Sequence, residues 1–361
     1  MTLVVGAPYA CVAGVGRAFP PNYYDQATLI AAFRQHWGRR HYNLDRLESL
    51  HKNVHVGGRH LALPMEMYPE LGSFAAKNDA FIKVAVEIGE QAIRAAIAQA
   101  GLDLRQIDHL MFTSVTGTAT PSIDARLVNR LKLRPDVKRT PIFGLGCVAG
   151  AAGIARLADT LRAYPDQIGV LLSVELCSLT LQREDLSLQN IIASGLFGDG
   201  AAAVVLTGAR VAQQPAAGPS VLASRSIFYP DTERMMGWDV TDGGFKVVLS
   251  PDVPALVKTH VANDVAAFLD REQVPFDAIK SFVCHPGGPK ILEAIATALA
   301  LPDGALAVTW DSLRRIGNLS SASVLMVLGD TRDDHRPPAG SLGLMLAMGP
   351  GFCSELVLLR W

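Results

Sequence analysis

The sequence predicts an α/β fold with layered, largely parallel sheets in two similar halves. Helical and strand patterns alternate from one end of the chain to the other, which is typical of sheets covered by helices. The segment GARVAQQPAAGPS at 208–220 is rich in Gly, Pro and small polar residues and predicts a linker. The alternation resumes after this segment, so we expect one core unit over residues 1–210 and a second over 221–361.

The elements of the first half follow from their residue patterns. Asn78 and Asp79 can cap a long helix that continues to Ala100, where a glycine ends it. A second helix is expected at 148–163, before Pro165. Apolar runs predict buried strands at 107–112, 168–174 and 201–206, and a short strand is expected at 141–143.

The second half repeats the alternation. The expected helices lie at 254–269, 289–299 and 320–329, and the expected strands at 279–284, 342–348 and 353–359. The last two strands are joined by the segment GPGF, which predicts a tight turn.

The composition excludes several classes of function. The net charge is −1 with acidic and basic residues mixed along the chain, which argues against a nucleic-acid partner. No apolar run reaches the roughly 18 residues of a membrane span, and the apolar start lacks the positive region of a signal peptide. We therefore expect a cytoplasmic protein. Its five cysteines lack metal-binding spacing and predict free thiols and no metal site.

Three segments share one design, in which small residues follow a strand, a reactive side chain comes next and a helix begins. Cys147 lies in GLGCVAGA, His285 in FVCHPGGP and Asn318 in RIGNLSSA. Taken singly, each has an ordinary structural interpretation as a buried cysteine, a turn histidine and a helix cap. The glycines beside Cys147 allow close approach to the sulfur, and the helix start behind it predicts a lowered thiol pKa.

Together these side chains predict carbon–carbon bond formation from thioesters. A Cys147–His285 ion pair would activate the sulfur for acyl transfer. The Asn318 amide and the imidazole N–H could donate to one carbonyl oxygen and form an oxyanion site. An amide cannot act as a base, so the set favours making an enolate by loss of carbon dioxide. A papain-like protease also uses Cys, His and Asn, but its CGSCW-type context is absent.

The chain resembles the type III polyketide synthases of the chalcone-synthase-like superfamily over nearly its whole length. The resemblance rests on the Cys147 segment and on HPGGPKIL at 285–292, GNLSSASVL at 317–325 and GPGF at 349–352. It implies a thiolase-type fold, which is a duplicated five-layered αβαβα architecture, and a homodimer. It also implies acyl-CoA and malonyl-CoA as substrates, without a cofactor.

The resemblance also implies a role for each matching residue. Cys147 would take the starter acyl group, and His285 and Asn318 would hold the malonyl carbonyl during decarboxylation. Phe197 matches the gatekeeper between the coenzyme A tunnel and the cavity, and Val247 stands where plant enzymes have a second aromatic. The other matches are Lys52 and Arg59 at coenzyme A phosphates, Thr116 in a loop whose tip lines the partner's cavity, Cys177 in the cavity wall and Ser320 beside the cysteine. Lys52 and Arg59 could equally be ordinary surface charges.

The segment 174–194 looks similar to bacterial alkylpyrone and alkylresorcinol synthases, which implies a fatty acyl starter and a pyrone or resorcinol product. Aldol-type relatives place a Thr–Glu–Ser water network beside the cysteine. Glu175 and Ser320 match two of its members, but Val115 occupies the Thr position, which favours a lactone. Two alternatives stay open: a single-condensation β-ketoacyl synthase, and a thiolase-fold binding protein without activity.

Overall fold

The computed structural model describes residues 9–37, 43–211 and 218–361. Most of the predicted linker, at 212–217, and the apolar start of the chain, at 1–8, lie outside the described residues. The strands are β1 (Ala10–Ala18), β2 (Asn22–Asp25), β3 (Gly58–Leu61), β4 (His109–Thr113), β5 (Lys138–Ile142), β6 (Ile168–Leu176), β7 (Asp199–Gly208), β8 (Ser220–Phe228), β9 (Met236–Thr241), β10 (Gly244–Leu249), β11 (Ile279–Cys284), β12 (Leu342–Gly349) and β13 (Cys353–Arg360). The helices are α1 (Gln26–Trp37), α2 (Leu44–Lys52), α3 (Phe74–Ala100), α4 (Ile123–Leu131), α5 (Ala149–Ala163), α6 (Leu188–Leu196), α7 (Val253–Arg271), α8 (Pro289–Ala298), α9 (Ala307–Ile316) and α10 (Ser323–Asp333).

Nine strands form one mixed sheet in the order β11-β12-β13-β8-β1-β7-β6-β4-β5. Only the pairs β11–β12, β6–β4 and β4–β5 are parallel. The prediction of largely parallel sheets is therefore wrong in this detail. Strands joined by a short turn, such as β12 and β13, must run antiparallel because no helix crosses over between them.

Helices α5 and α10 form the middle layer of the molecule, with strands from both halves of the chain packed against them. Residues of α5 and α10 form one hydrophobic core with inward-facing residues of strands from both halves of the chain. A second core lies between α7 and α8 and the outer face of β11–β13, and a third between α3 and α4 and the outer face of β4, β6 and β7. These layers confirm the five-layered αβαβα fold.

The two halves of the sheet meet where β1 lies beside β8. Among the described residues, β1 pairs with β8 at two positions, Ala10 with Val221 and Cys11 with Ser220. Among the described residues, no helix has both the length and the apolarity that a membrane span requires.

The start of α3 differs from the prediction. The helix begins at Phe74, and the side chain of Ser73 caps it by accepting a hydrogen bond from the Ala76 N–H. Asn78 lies inside the helix and instead binds a loop, where its amide exchanges two hydrogen bonds of 2.8 Å with the Thr118 backbone. An Asn side chain that bonds a distant backbone cannot be distinguished from a cap by local sequence alone.

Candidate active site

Cys147 lies in a tight 3-10 turn, Gly146–Val148, directly before α5. Gly146 has a φ of 56°, and a Cβ atom there would lie 2.6 Å from Cδ of Pro350. Only glycine fits both the left-handed backbone and the close approach of the turn at 349–352. This contact fixes the sulfur between the middle helical layer and the end of β12.

The Cys147 thiol is buried. It donates a hydrogen bond to the Ser320 hydroxyl, with 3.6 Å between Sγ and Oγ. Burial raises the pKa of Cys147 to about 12, and the carboxylate of Glu175 acts in the same direction, while the Ser320 bond opposes both. The expected lowering of the pKa by the helix start is therefore wrong for the free enzyme, because desolvation outweighs it. Burial thus favours the neutral thiol over the thiolate in the free enzyme.

His285 follows β11 and is held by its backbone, whose N–H donates to the Leu346 carbonyl at 2.9 Å. Its ring is buried, and Nδ1 has no hydrogen-bond partner among the residues that the structure describes. Burial lowers the pKa of His285 to about 3, so the ring is neutral at physiological pH. A neutral imidazole has one N–H donor and one acceptor nitrogen, which suits both proton transfer and oxyanion binding.

The amide of Asn318 is oriented by its neighbours. Its Oδ1 accepts the Ser320 N–H at 2.8 Å, and its Nδ2 makes a long 3.4 Å bond to the Gly287 carbonyl. With the oxygen occupied, the NH2 group is the end that can bind a ligand, and one of its two N–H groups is free to donate. The Asn318 amide is thus oriented with its NH2 group, an uncharged donor, available to a ligand.

The structure brings the three predicted residues together. Cys147, His285 and Asn318 line one small cavity of about 50 Å³, which Ser320 and Phe197 also line. Burial disfavours the charged forms of Cys147 and His285, and the Asn318 amide is uncharged, so the cavity joins a thiol to neutral hydrogen-bond donors.

A much larger cavity of about 740 Å³ adjoins this small one. Phe197, Trp238 and Val247 line both, so they form the wall between them, which we call the gate. Trp238 and Val247 face each other on the separate β9–β10 sheet. Cys177 lines the large cavity, as predicted for a wall residue. Sequence reasoning missed Trp238, although its register opposite Val247 in a short hairpin was a usable signal.

Phe197 is tied to Asn318 through the main chain. The Gly198 N–H donates to the Asn318 carbonyl, and the Asn318 N–H donates to the Leu196 carbonyl, both at 2.9 Å. Phe197 and Asn318 are therefore positioned by one backbone bridge between the two halves of the chain.

The structure contradicts the assignment of Arg59 to coenzyme A phosphates. Its side chain is 2% exposed, and its guanidinium donates to the Ser194 and Gly195 carbonyls at the end of α6 and to Oε1 of Gln26. Burial lowers the pKa of Arg59 to about 10, which leaves it charged at neutral pH. A cation that bonds the last carbonyls of a helix stabilises its negative end, so Arg59 is a helix cap.

Arg59→Ala is expected to lower the free energy of unfolding by about 3 kcal/mol or more, because it strands buried acceptors. Lys52→Ala is the matched control, since Lys52 is 66% exposed and its ion pair with Glu48 lies at the surface. Urea unfolding of both variants checks this. Equal stability of the Arg59 variant and the wild type would contradict the capping role.

Thr116 also differs from the prediction, because it faces the interior and not the loop tip. Its Oγ1 donates to Oε2 of Glu175 at 2.9 Å, and Ser321 Oγ donates to the other carboxylate oxygen. The residue beside the cysteine, Ser320, does not contact Glu175 in this network. Burial raises the pKa of Glu175. Its carboxylate oxygens accept hydrogen bonds from Thr116 and Ser321, and the residue does not line the cavity around Cys147. The exposed tip of the loop begins at Thr118.

Two family models together cover almost the whole chain. The model of the N-terminal domain of chalcone and stilbene synthases matches residues 4–210, and the model of their C-terminal domain matches residues 220–361. The chain belongs to the chalcone and stilbene synthase family. It is an acyltransferase of the type III polyketide synthase class, as the resemblance implied.

Individual relatives agree with the family. The chain is 50% identical to 1,3,6,8-tetrahydroxynaphthalene synthase of Streptomyces peucetius subsp. caesius, over 97% of this chain and 93% of the relative. It is 36% identical to a putative chalcone synthase of Bacillus subtilis, over 98% and 99%. The solved 1,3,6,8-tetrahydroxynaphthalene synthase of Streptomyces coelicolor A3(2), a bacterial type III polyketide synthase, superposes with a TM-score of 0.91, at 29% identity over 97% and 99%.

Proposed function

We propose that this chalcone and stilbene synthase relative condenses malonyl-CoA repeatedly on Cys147 and releases a polyhydroxylated aromatic product. The observation that carries the proposal is the small cavity, which is lined by a thiol and two neutral donors and shares the gate as a wall with a large cavity. Neutral donors suit an enolate, because they stabilise developing negative charge without protonating the reacting carbon.

Loading begins at the thiol of Cys147. His285 accepts its proton while the sulfur attacks the carbonyl carbon of a coenzyme A thioester. The carbon–sulfur bond to coenzyme A breaks, and the proton on His285 passes to the leaving thiolate. The products are an acyl thioester on Cys147 and free coenzyme A, and His285 is neutral again.

Extension uses the same pair of donors. The thioester carbonyl of malonyl-CoA accepts N–H groups from His285 and Asn318, and the bond to the carboxylate breaks with release of carbon dioxide. The electron pair passes into the enolate, whose carbon attacks the acyl carbonyl on Cys147. The Cys147 sulfur leaves as a thiolate, and a proton from solvent, relayed by His285, restores the thiol. The extended chain is then a coenzyme A thioester, ready to reload.

The substrate is inferred from chemistry and similarity. The name of the 50% identical relative denotes a ten-carbon ring system with oxygen on alternate carbons. Five two-carbon units account for every carbon and leave no alkyl tail. We infer that malonyl units supply the whole chain here also. The fatty acyl starter with a pyrone or resorcinol product is the second candidate, favoured by Leu29, Phe33 and Leu61 on the wall of the large cavity.

One experiment separates these candidates. The pure enzyme is incubated with malonyl-CoA alone and then with acyl-CoA starters from acetyl to palmitoyl, and product masses are measured. A ten-carbon product from malonyl-CoA alone supports the first candidate, whereas products that require a long acyl-CoA favour the second. A single extension in every reaction indicates a β-ketoacyl synthase and refutes repeated condensation.

Lys52 remains our proposed contact for the coenzyme A phosphates. It lies at the exposed end of α2, where a flexible ammonium can reach an anionic ligand. Its ion pair with Glu48 is a surface pair of small energy, which a phosphate can replace.

We also propose a homodimer, because β5 is an edge strand of the nine-stranded sheet and no described strand pairs with its outer side. Its residues are mostly exposed, and the following Phe143 is 59% exposed. An exposed edge strand beside an exposed aromatic is a typical site of pairing with another chain. Phe143→Glu is expected to halve the mass in light scattering, while Phe276→Glu on the outer layer leaves it unchanged. A monomeric wild type would contradict the proposal.

A further inference from the structure

The large cavity has a polar region on the part of its wall that the Cys147 cavity does not share. The wall runs from the gate along the segment that follows Cys177 and reaches Arg183 and His36, the latter on α1. Neither Arg183 nor His36 lines the cavity around Cys147. If the polyketide grows from the Cys147 sulfur past the gate into the large cavity, its starter end moves towards this polar region.

Arg183 has a charge without an acidic partner there. Its Nη1 donates to the Pro69 carbonyl and its Nη2 to Nδ1 of His36, both at 3.2 Å. Its own carbonyl accepts the indole N–H of Trp37 at 2.7 Å, which holds the backbone in place. A guanidinium has five N–H donors, so these bonds leave several for a ligand.

No carboxylate in the described part of the chain lies within ion-pair distance of Arg183. Glu66, the one acidic residue that the structure places on this cavity wall, is exposed to solvent. Lys77 adds a second positive group nearby, with its Nζ on the Leu181 and Gly243 carbonyls. The pKa of Lys77 is lowered mainly by burial and secondly by the positive charge of Arg183, so the two cations are close enough to repel each other. Such a region favours an anion.

We propose that Arg183 is a specificity-determining residue that binds the terminal carboxylate of a chain started by a malonyl unit. The inference rests on the proposed function and names the form of its starter. Malonyl-CoA loads by thioester exchange with its carboxylate intact, and only the extender units lose carbon dioxide at His285 and Asn318. The starter carboxylate then travels ahead of the growing chain and leaves as carbon dioxide when the rings close, so that five two-carbon units remain in the ten-carbon product.

The geometry of a guanidinium explains the selectivity. A carboxylate can accept two parallel N–H bonds from it, and the charge strengthens both. An alkyl tail of equal length would desolvate Arg183 and return no hydrogen bond, which is unfavourable. The same cavity therefore accepts an anionic chain end more readily than an apolar one.

The test compares two starters in the same enzyme. Arg183→Leu is expected to reduce kcat/KM with malonyl-CoA alone by about tenfold or more, which corresponds to one charged hydrogen-bonded contact. Extension of hexanoyl-CoA by malonyl-CoA should be unchanged or faster, and it also shows that the variant is folded. Arg183→Lys should retain an intermediate activity with malonyl-CoA alone. Arg271→Leu, at the exposed end of α7, is the surface control and should match the wild type.

The outcomes separate this inference from the function on which it rests. If Arg183→Leu matches the wild type on malonyl-CoA alone, or slows both starters equally, Arg183 does not select the starter, yet repeated condensation stands. If the wild type makes nothing from malonyl-CoA alone and extends only alkyl starters, the malonyl-only function is wrong and the carboxylate role of Arg183 fails with it.

Discussion

Cys147→Ala should abolish formation of extended products, by a factor on the order of a thousand or more, because no other group can carry the acyl chain. Release of carbon dioxide from malonyl-CoA should persist at a measurable rate, since the donors His285 and Asn318 remain. The small substitution also leaves the Gly146 turn intact. Product masses and labelled carbon dioxide, measured in the same reaction, report the two steps separately.

A second buried thiol provides the control for Cys147. Cys284→Ala removes a sulfur at the end of β11, where burial likewise raises the pKa to about 12 and no described cavity is lined by it. This variant should form products at close to the wild-type rate. Extended products from the Cys147→Ala protein would refute the assignment of the acyl carrier.

Asn318→Ala should suppress both decarboxylation and condensation by about 100-fold to 1,000-fold, the cost of removing one donor from an oxyanion site. Both steps should fall because the same donor stabilises the enolate on which each depends. The contrast with Cys147→Ala, in which one step survives, is the distinguishing result. Initial rates of carbon dioxide release and of product formation provide the comparison.

Asn318→Asp sharpens this test, because it keeps the shape of the side chain and the oxygen that accepts the Ser320 N–H. It loses the N–H donors and places a carboxylate near the enolate oxygen. If donation is the function of Asn318, this variant should be at least as impaired as Asn318→Ala. Substantial activity in Asn318→Asp would show that Asn318 acts only through the backbone turn that it caps.

The positions of the three candidate catalytic residues were predictable because local sequence encodes them. Strand β11 has the predicted limits, 279–284, and His285 follows it at a turn that no strand can continue. Cys147 and Asn318 likewise lie where glycine precedes the start of a helical segment. Such signals need no knowledge of distant contacts. The three residues then line one cavity because the fold packs their segments against one another.

The rest depended on contacts far apart in the sequence. Arg59 looks like a surface cation until α6 places two carbonyls beside it, 135 and 136 residues along the chain. The thiol pKa was predicted in the wrong direction because burial depends on the whole fold, whereas the helix start is local. Trp238 gained its role only when the hairpin turned it towards Phe197, with 6.4 Å between the ring centroids.

The backbone bridge between Phe197 and Asn318 has a consequence for how such enzymes can diversify. Main-chain hydrogen bonds do not depend on which side chain a residue carries, so the bridge tolerates exchange of the Phe197 ring. Trp238 and Val247 belong to a separate two-stranded sheet and can also vary without disturbing the bridge. The volume available to the product is thus encoded apart from the bond-making chemistry, and new ring systems can arise by substitution at the gate while the reaction itself is inherited unchanged.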